Sequence, residues 1–153
     1  MNSKNIAKAV FLSGIILVIL SCAGGAAAKN ADIADIMEKD WFLEEVKTGQ
    51  SVIRIDRTGG ANAVYTLKFD AERIGGAGAP NRYFAPYTAG EKNSLAFGMI
   101  GSTMMASLFE RADLKEHEYF AYLGKVCRWD LKNGKLELYS LDGNAETVLI
   151  YGE

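Results

Sequence analysis

Short runs in which apolar and polar residues alternate recur from Trp41 onward, and turn signals separate them. In the clearest run, Tyr65, Leu67 and Phe69 alternate with polar residues, which predicts a strand with one apolar and one polar face. Shorter runs of the same kind occur at 53–55, 95–97, 127–131, 136–138 and 148–150. Together they predict six to seven strands.

Two dipeptides favour tight hairpins in the last third of the chain. Asn133-Gly134 and Asp142-Gly143 each join apolar runs, and both pairs accept the positive φ that two-residue hairpin turns require. The last three strands should therefore form an antiparallel meander. A sheet of this size with one apolar face per strand tends to close around its core.

One segment has helical rather than strand periodicity. Asp113 followed by Glu116 fits a capping box, and Gly124 is suited to end the helix, so we expect a helix over residues 113–123. Its buried stripe would consist of Tyr119, Phe120 and Leu123.

The chain has 153 residues, of which 49% are hydrophobic and 24% charged, and this composition is ordinary for one globular domain. The fold class that we predict is mainly β (α+β), a small antiparallel β-barrel-like domain of six to seven strands with one packed helix.

Residues 1–21 have the features of a secretory signal peptide. Lys4 and Lys8 give a positive start, and the apolar stretch from Ala9 to Leu20 (AVFLSGIILVIL) follows them. That stretch is shorter than the roughly 20 residues that a transmembrane helix needs. The leader therefore predicts export.

Cys22 follows the leader directly, and Ile19-Leu20-Ser21-Cys22 resembles the lipobox of bacterial lipoproteins. The usual pattern has Leu at the place of Ile19 and a small residue at the place of Leu20. We interpret Cys22 as the lipid attachment site, residues 22–39 as the lipidated N-terminus and tether, and residues 40–153 as the domain. The alternative is an ordinary cleavage site or an uncleaved anchor. Folded structure should begin near Ile33 or Trp41.

Lipidation of Cys22 would leave Cys127 without a partner, because the chain has two cysteines. Cys127 alternates with Trp129 and Leu131, and we expect it to be buried as a small apolar side chain. Without the leader lysines, 15 basic residues face 19 acidic ones, and no basic cluster is present. The sequence therefore argues against nucleic-acid binding.

The residue types that commonly carry catalysis give no specific pattern here. His117 is the only histidine and lies in a polar run of the expected helix, where a solvated position is the favoured interpretation. The glycines at 75, 76 and 78 lack the spacing of a nucleotide-binding loop and fit a bent strand or a close backbone approach better. We predict no catalytic residue, no metal and no cofactor.

Met104, Met105 and Phe109 are open to two interpretations. Methionine side chains repack readily and could line an adaptable hydrophobic pocket, but filling the core is the favoured interpretation.

The middle of the chain resembles the signature of the META domain (HslJ-like) lipoprotein family, over roughly residues 40–151. The motifs that carry the likeness are Phe69-Asp70, Ile74-Gly75-Gly76, Gly78-Ala79-Pro80-Asn81-Arg82-Tyr83, Tyr87, Ser102-Thr103-Met104-Met105-Ala106-Ser107 and Glu118-Tyr119-Phe120. The family commonly has cysteines at the places of Pro80 and Ser107, which are thought to pair. This chain lacks both.

The resemblance implies a compact β-barrel-like fold, an envelope location and links to stress tolerance without an established catalytic activity. We therefore expect a non-enzymatic lipoprotein of the bacterial cell envelope, at the outer membrane or facing the periplasm. Its partner would be an envelope protein or a hydrophobic ligand. Asn81 and Arg82 are candidate partner contacts, although Asn81 is also suited to stabilise a turn. The alternative is a lipid-binding pilot or carrier with an acyl-chain site in the barrel.

Overall fold

The computed structural model describes residues 32–57, 64–105 and 111–153. These residues form ten strands and one α-helix, where the sequence predicted six to seven strands. The strands are β1 Trp41–Thr48, β2 Ser51–Arg54, β3 Thr66–Phe69, β4 Arg73–Ala77, β5 Arg82–Ala89, β6 Leu95–Phe97, β7 Gly101–Ser102, β8 Val126–Lys132, β9 Lys135–Asp142 and β10 Ala145–Gly152, and the helix is α1 Glu116–Leu123. Short 3-10 turns occur at Ile33–Asp35 and Glu91–Asn93.

The strands form one antiparallel sheet that nearly closes into a barrel. Its order is β6-β5-β4-β3-β1-β10-β9-β8, while β2 pairs with β1 and β7 pairs with β5. An isolated bridge between Ser94 and Arg128 brings the two ends of this order together. The predicted barrel-like class and the meander of the last three strands are confirmed.

Two of the strands that the sequence did not predict contain residues with low strand propensity. Strand β4 contains Gly75 and Gly76, and β5 contains Pro86. Pro86 lies across from Arg73, and on its other side its carbonyl accepts a hydrogen bond from the Gly98 N–H at 2.8 Å. Cross-strand pairing therefore overrides the low local preference of proline and glycine for strands.

The two hairpin turns differ in their position relative to the dipeptides that predicted them. Asn133 and Gly134 both have positive φ, as the predicted turn requires. Asp142 instead pairs with Ala145, so the second turn is centred on Gly143-Asn144 and not on the predicted Asp-Gly. Gly143 alone has positive φ there, which is the pattern of a II′ turn.

Helix α1 begins at Glu116, three residues after the predicted start, so Asp113 is not its N-cap. The Asp113 carboxylate instead binds the Arg111 guanidinium. The first turn is closed by the Glu118 carboxylate, which accepts a hydrogen bond from the Lys115 N–H at 2.9 Å.

The end of the helix and its buried stripe agree with the prediction. Gly124 follows the last helical residue and its N–H binds the Phe120 carbonyl at 2.9 Å. Tyr119 and Leu123 are buried in the core, and Phe120 packs against it. The helix therefore lies against the sheet, as expected.

The packed part of the chain extends back to Ile33, the earlier of the two starting points that the sequence suggested. Ile36 is fully buried, and its carbonyl accepts a hydrogen bond from the Trp41 indole at 3.0 Å. Met37 forms a bridge with Phe69 at the end of β3. Cys22 lies outside the described residues.

Large side chains fill the interior of the barrel. Those with almost no exposed surface include Trp41, Leu43, Tyr65, Leu67, Phe69, Ile74, Tyr119, Leu123 and Tyr151. They belong to one continuous hydrophobic cluster. Among the described residues, every buried side-chain nitrogen and oxygen has a hydrogen-bond partner.

Cys127 is exposed, so the expectation that it is buried is wrong. Val126 pairs with Ser140 and Arg128 pairs with Tyr139, which makes Cys127 the extra residue of a β-bulge. The bulge changes the side of the sheet on which each residue falls, and Val126 is buried instead.

Candidate binding surface on the outside of the sheet

The outer side of β3, β4, β5 and β7 carries a groove of about 530 Å³. Its lining combines glycine backbone, one aromatic ring, hydroxyls and charged side chains. The residues that matter below are Asp40, Lys68, Asp70, Arg73, Gly75, Arg82, Phe84 and Thr103. We call this surface the Phe84 groove.

Phe84 points outward because it alternates with the buried Tyr83 and Ala85. Its two cross-strand neighbours are Gly75 on β4 and Gly101 on β7. A Cβ on Gly101 would lie 3.0 Å from the Phe84 ring, so the ring lies directly over that glycine. Because neither neighbour has a side chain, 56% of Phe84 stays exposed.

Gly76 fixes the shape of the groove floor. A Cβ at this position would lie 2.0 Å from the Thr66 carbonyl oxygen, so only glycine allows β3 and β4 to approach this closely. The same carbonyl accepts a hydrogen bond from the Tyr83 hydroxyl at 2.8 Å. The prediction that the glycine run allows a close backbone approach is confirmed at Gly76, whereas a Cβ on Gly75 would make an ordinary contact and one on Gly78 would meet the Phe120 ring.

Three cations lie along the groove, and two of them have acidic partners. Lys68 lies 3.5 Å from Glu38, and Arg73 lies 3.3 Å from Asp70. The backbone N–H groups after Asp70 and the Arg73 side chain hold the pKa of the Asp70 carboxyl below its usual value.

The third cation, Arg82, is exposed on the same side of β5 as Phe84, two residues away. Within the described ranges its guanidinium has no acidic or hydrogen-bonding partner. Lys68 and Arg73 are partly neutralised by their own acids. The groove lining therefore holds two charged side chains without a partner among the described residues, Asp40 just before β1 and Arg82 beside Phe84, and the one beside Phe84 is positive.

Asn81 is only 5% exposed and holds the segment after β7 against β5. Its side-chain oxygen accepts hydrogen bonds from the Thr103 hydroxyl at 2.8 Å and the Met105 N–H at 2.6 Å. Its side-chain nitrogen donates to Glu116 at 2.9 Å. Of the two candidate partner contacts, Arg82 is therefore the accessible one, and a direct contact by either residue stays a prediction.

A chain of tyrosine hydroxyls lies beneath the groove. The Tyr83 and Tyr119 oxygens are 3.0 Å apart, and the Tyr151 hydroxyl donates to Tyr119 at 3.1 Å. Burial raises the pKa of all three phenols well above the usual value, so they remain neutral donors and acceptors. They satisfy one another inside the core and do not supply charge to the groove.

Exposed large apolar side chains concentrate beside this groove. Of six such residues in the described part, four lie on β5 or between residues 99 and 105: Phe84, Met99, Met104 and Met105. Met99 is 91% exposed and Met104 is 99% exposed. The interpretation that Met104 and Met105 fill the core is therefore wrong, and Phe109 lies outside the described residues.

His117 is exposed on α1, which agrees with the solvated position favoured by the sequence. It borders a second cavity of about 280 Å³ that also contains the Ser140, Thr147 and Asp142 side chains. In the part of the chain that the structure describes, no hydrogen bond joins His117 to either hydroxyl. That part also contains no cluster of three metal-ligating side chains and no helix long and apolar enough to cross a membrane.

The barrel, its glycine-rich β4 and the single helix agree with the family resemblance, and a family model decides the assignment. The model of the META domain matches residues 34–150. The chain belongs to the META domain family. The META match starts inside the first 3-10 turn, so the residues before β1 that pack on the core are part of the domain.

A solved structure has a similar fold to this META chain. It is the NMR structure of a protein from Burkholderia xenovorans, with a TM-score of 0.60 and 18% sequence identity. The alignment covers 98% of this chain and 97% of that one. At this identity the likeness shows the fold alone. Among curated proteins, no sequence matches this chain.

Proposed function

We propose that this protein is a non-enzymatic, lipid-anchored lipoprotein of the bacterial cell envelope that binds its partner through the Phe84 groove. The observation that carries this proposal is the combination of a filled interior with an outer surface that leaves Phe84 and Arg82 uncovered. Such a surface is suited to a partner with apolar and anionic groups. Binding there would support envelope integrity under stress.

The anchor is supported by the leader 1–21 and by the place of Cys22 directly behind it. Packed structure begins at Ile33, which leaves the acylated cysteine ten residues from the first described residue, Asp32. A lipid on Cys22 would insert into the membrane and hold the domain beside it. The lipid would not need to enter the core of the domain.

Binding outside the barrel agrees better with the packing than the carrier alternative does. An acyl chain inside would have to displace residues such as Trp41, Tyr65 and Tyr151, which have almost no exposed surface and belong to one packed cluster. Interiors packed in this way hold few voids larger than a water molecule. No observation favours the carrier, and we do not propose it.

The non-enzymatic part of the proposal rests on the arrangement of the side chains that could act in catalysis. A hydrolase would need a nucleophile within hydrogen-bond reach of a base. His117 makes no such bond with Ser140 or Thr147 in the described structure, although all three border one cavity. The buried tyrosines are kept neutral by burial and cannot act as a base near neutral pH.

Metabolic labelling with an alkyne fatty acid tests the anchor. We expect the wild-type protein to carry the label and to fractionate with membranes, and the Cys22→Ala variant to lose both. Cys127→Ser is the matched control and should keep the label, because Cys127 is exposed but lies in the folded domain. Equal labelling of wild type and Cys22→Ala would overturn the proposal.

Complementation of a deletion strain under detergent stress tests the binding surface. Arg82→Glu should be made at normal levels, since its side chain makes no bond in the described structure, yet should fail to restore growth. Lys47→Glu reverses a charge on β1, outside the groove, and should restore growth. Full complementation by Arg82→Glu would contradict the role of the groove.

A further inference from the structure

The exposed apolar residues beside the Phe84 groove project one by one instead of forming a flat patch. Met104 is 99% exposed and Met99 is 91% exposed, while Phe84 lies between them over Gly101. At about 3.3 Å per residue, both methionines lie within roughly 10 Å of Gly101 along the chain. Isolated apolar side chains of this kind suit insertion among lipid tails, because a fluid adapts to each side chain separately.

The unpaired charge next to Phe84 on β5 is positive, whereas Asp40, the other unpaired charge of the groove, lies just before β1. Arg82 lies beside Phe84 and has no partner among the described residues, whereas Lys68 and Arg73 are paired with acids of the domain. The chain as a whole carries a formal net charge of −2, so this local positive charge is opposite in sign to the net charge. An arginine at the edge of exposed apolar groups is suited to bind phosphate of a lipid headgroup.

The residues that follow the tether lie near this surface. Asp32 and Ile33 line a cavity together with Ala89 and Gly90, at the end of β5. Phe84 lies five residues away on the same strand, about 17 Å at the usual strand rise. Farther along, Asp40 lines the groove itself.

The length of the connecting chain limits how far the domain can move from a lipid on Cys22. Ten residues span at most about 36 Å when fully extended. A folded domain of this size is roughly 35 Å across. The side of the domain that carries Asp32 therefore stays within about one domain diameter of the bilayer.

We propose that the META domain of this protein docks on an anionic phospholipid bilayer through Phe84, Met99 and Met104, with Arg82 on a headgroup phosphate. This inference rests on the proposed anchor, because the lipid on Cys22 keeps the docking surface at the membrane. The occupant of the Phe84 groove would then be a phospholipid surface and not a protein.

Lipid-located nitroxide quenching tests the docking in the full mature chain. Single cysteines are introduced as Met99→Cys or Met104→Cys in a Cys127→Ser background and labelled with bimane. The protein is reconstituted in phosphatidylcholine vesicles with or without phosphatidylglycerol. Leu141→Cys in the same background is the matched control, because Leu141 is also an exposed apolar residue but lies on β9.

We expect labels at 99 and 104 to be quenched and shifted to the blue in anionic vesicles, and the label at 141 to be unaffected. Arg82→Glu should reduce quenching at 104 to the level seen in neutral vesicles. Equal signals at 99, 104 and 141 would overturn the docking. Shielding of 99 and 104 that appears only when an envelope protein is added, without lipid quenching, would overturn it as well.

The two proposals fail in different ways in this experiment. If Cys22 is not acylated, the mature chain does not co-purify with the membrane fraction and its Cys22 thiol takes up bimane. If the anchor is present but docking is wrong, the chain stays in the vesicles while the label at 104 remains unquenched.

Discussion

Tyr139 and Phe84 both point outward from the sheet, and their surroundings are opposite. Tyr139 on β9 is 6% exposed, because Arg128 lies directly across from it and covers the ring at 3.3 Å from its centroid. Phe84 on β5 is 56% exposed, because Gly75 and Gly101 lie across from it. The exposure of an outward aromatic is thus decided by the residues on neighbouring strands.

The charges around the two rings follow the same contrast. Next to Tyr139, the Lys132 ammonium lies 3.0 Å from the Glu137 carboxylate, 3.2 Å from Asp130 and 2.7 Å from the Tyr139 hydroxyl. Next to Phe84, Arg82 has no partner within the described residues. Around Tyr139 the ring is therefore covered and the charges are paired with one another, whereas beside Phe84 the ring and the Arg82 charge are left for a partner.

The largest effect should come from closing the backbone approach that shapes the groove. We expect Gly76→Ala to lower the free energy of unfolding by about 3 kcal/mol, because its Cβ would meet the Thr66 carbonyl, a backbone atom. Urea denaturation measures this. Gly75→Ala is the control, since its Cβ would meet only the Tyr83 carbonyl at 3.6 Å, and it should change stability by less than about 0.5 kcal/mol. Similar losses for the two would refute the steric explanation.

A smaller loss is expected at the hub that holds the methionine segment against β5. Asn81→Leu should lower the free energy of unfolding by about 2 kcal/mol, because the Met105 N–H and the Glu116 carboxylate lose their partner. Arg82→Ala, at the next position, should be neutral within about 0.5 kcal/mol. If chemical denaturation showed the reverse order, Asn81 would not be a structural residue.

Substituting the residues that lie across from Tyr139 and Phe84 tests the comparison directly. Arg128→Gly should uncover Tyr139 and cost about 1.5 kcal/mol, from the lost cation–π contact and a glycine inside a strand. Gly75→Gln should cover Phe84 and stabilise the domain by about 0.7 kcal/mol, without placing a second positive charge opposite Lys68. Thermal unfolding gives both values, and a stabilising Arg128→Gly would contradict this explanation.

The smallest expected effect is the pH dependence of stability that comes from the ion pairs around Tyr139. Burial of the Glu137 carboxyl raises its pKa, but hydrogen bonds from Tyr139 and Lys132 outweigh burial and hold the pKa below the usual value. This stabilisation is present above the unfolded-state pKa of about 4.3 and is lost as the pH falls through the lower folded-state value. Glu137→Gln should cost about 0.5 kcal/mol at neutral pH, because the carboxylate is near the surface.

Stability curves of wild type and Glu137→Gln measured between neutral and acidic pH check this sign. The difference between them should disappear at the acidic end. A difference that grew with falling pH would mean that the carboxyl is destabilised by its surroundings.

The alternation of apolar and polar residues, together with the turn dipeptides, was sufficient to predict much of the barrel. Alternation placed Tyr65, Leu67 and Phe69 on the inner face, and the Asn133-Gly134 turn was identified from its dipeptide. Prediction from the alternation failed at Cys127, because a bulge shifts the alternation and nothing in the sequence indicates the bulge. It also missed β4 and β5, where cross-strand pairing overrides the low propensity of glycine and proline.

The Phe84 groove could not be predicted from the sequence for a related reason. In the run Arg82, Tyr83, Phe84, Ala85, alternation separates two faces but does not say which aromatic lies inside. The exposure of Phe84 depends on Gly75 and Gly101, and their position beside it is set by the register of three strands. Of the two candidate contacts that the family motif suggested, Asn81 and Arg82, Arg82 lines the groove.

Hydrogen exchange of the anchored chain is the most direct test of the contrast between the two surfaces. The measurement compares neutral with phosphatidylglycerol-containing vesicles for residues 98–105 and for residues 126–139, with Arg82→Glu as the control. We predict slower exchange at 98–105 in anionic vesicles for the wild type alone, and no change at 126–139. Unchanged exchange at 98–105, or protection at 126–139 instead, would contradict the assignment of the Phe84 groove as the membrane-facing surface.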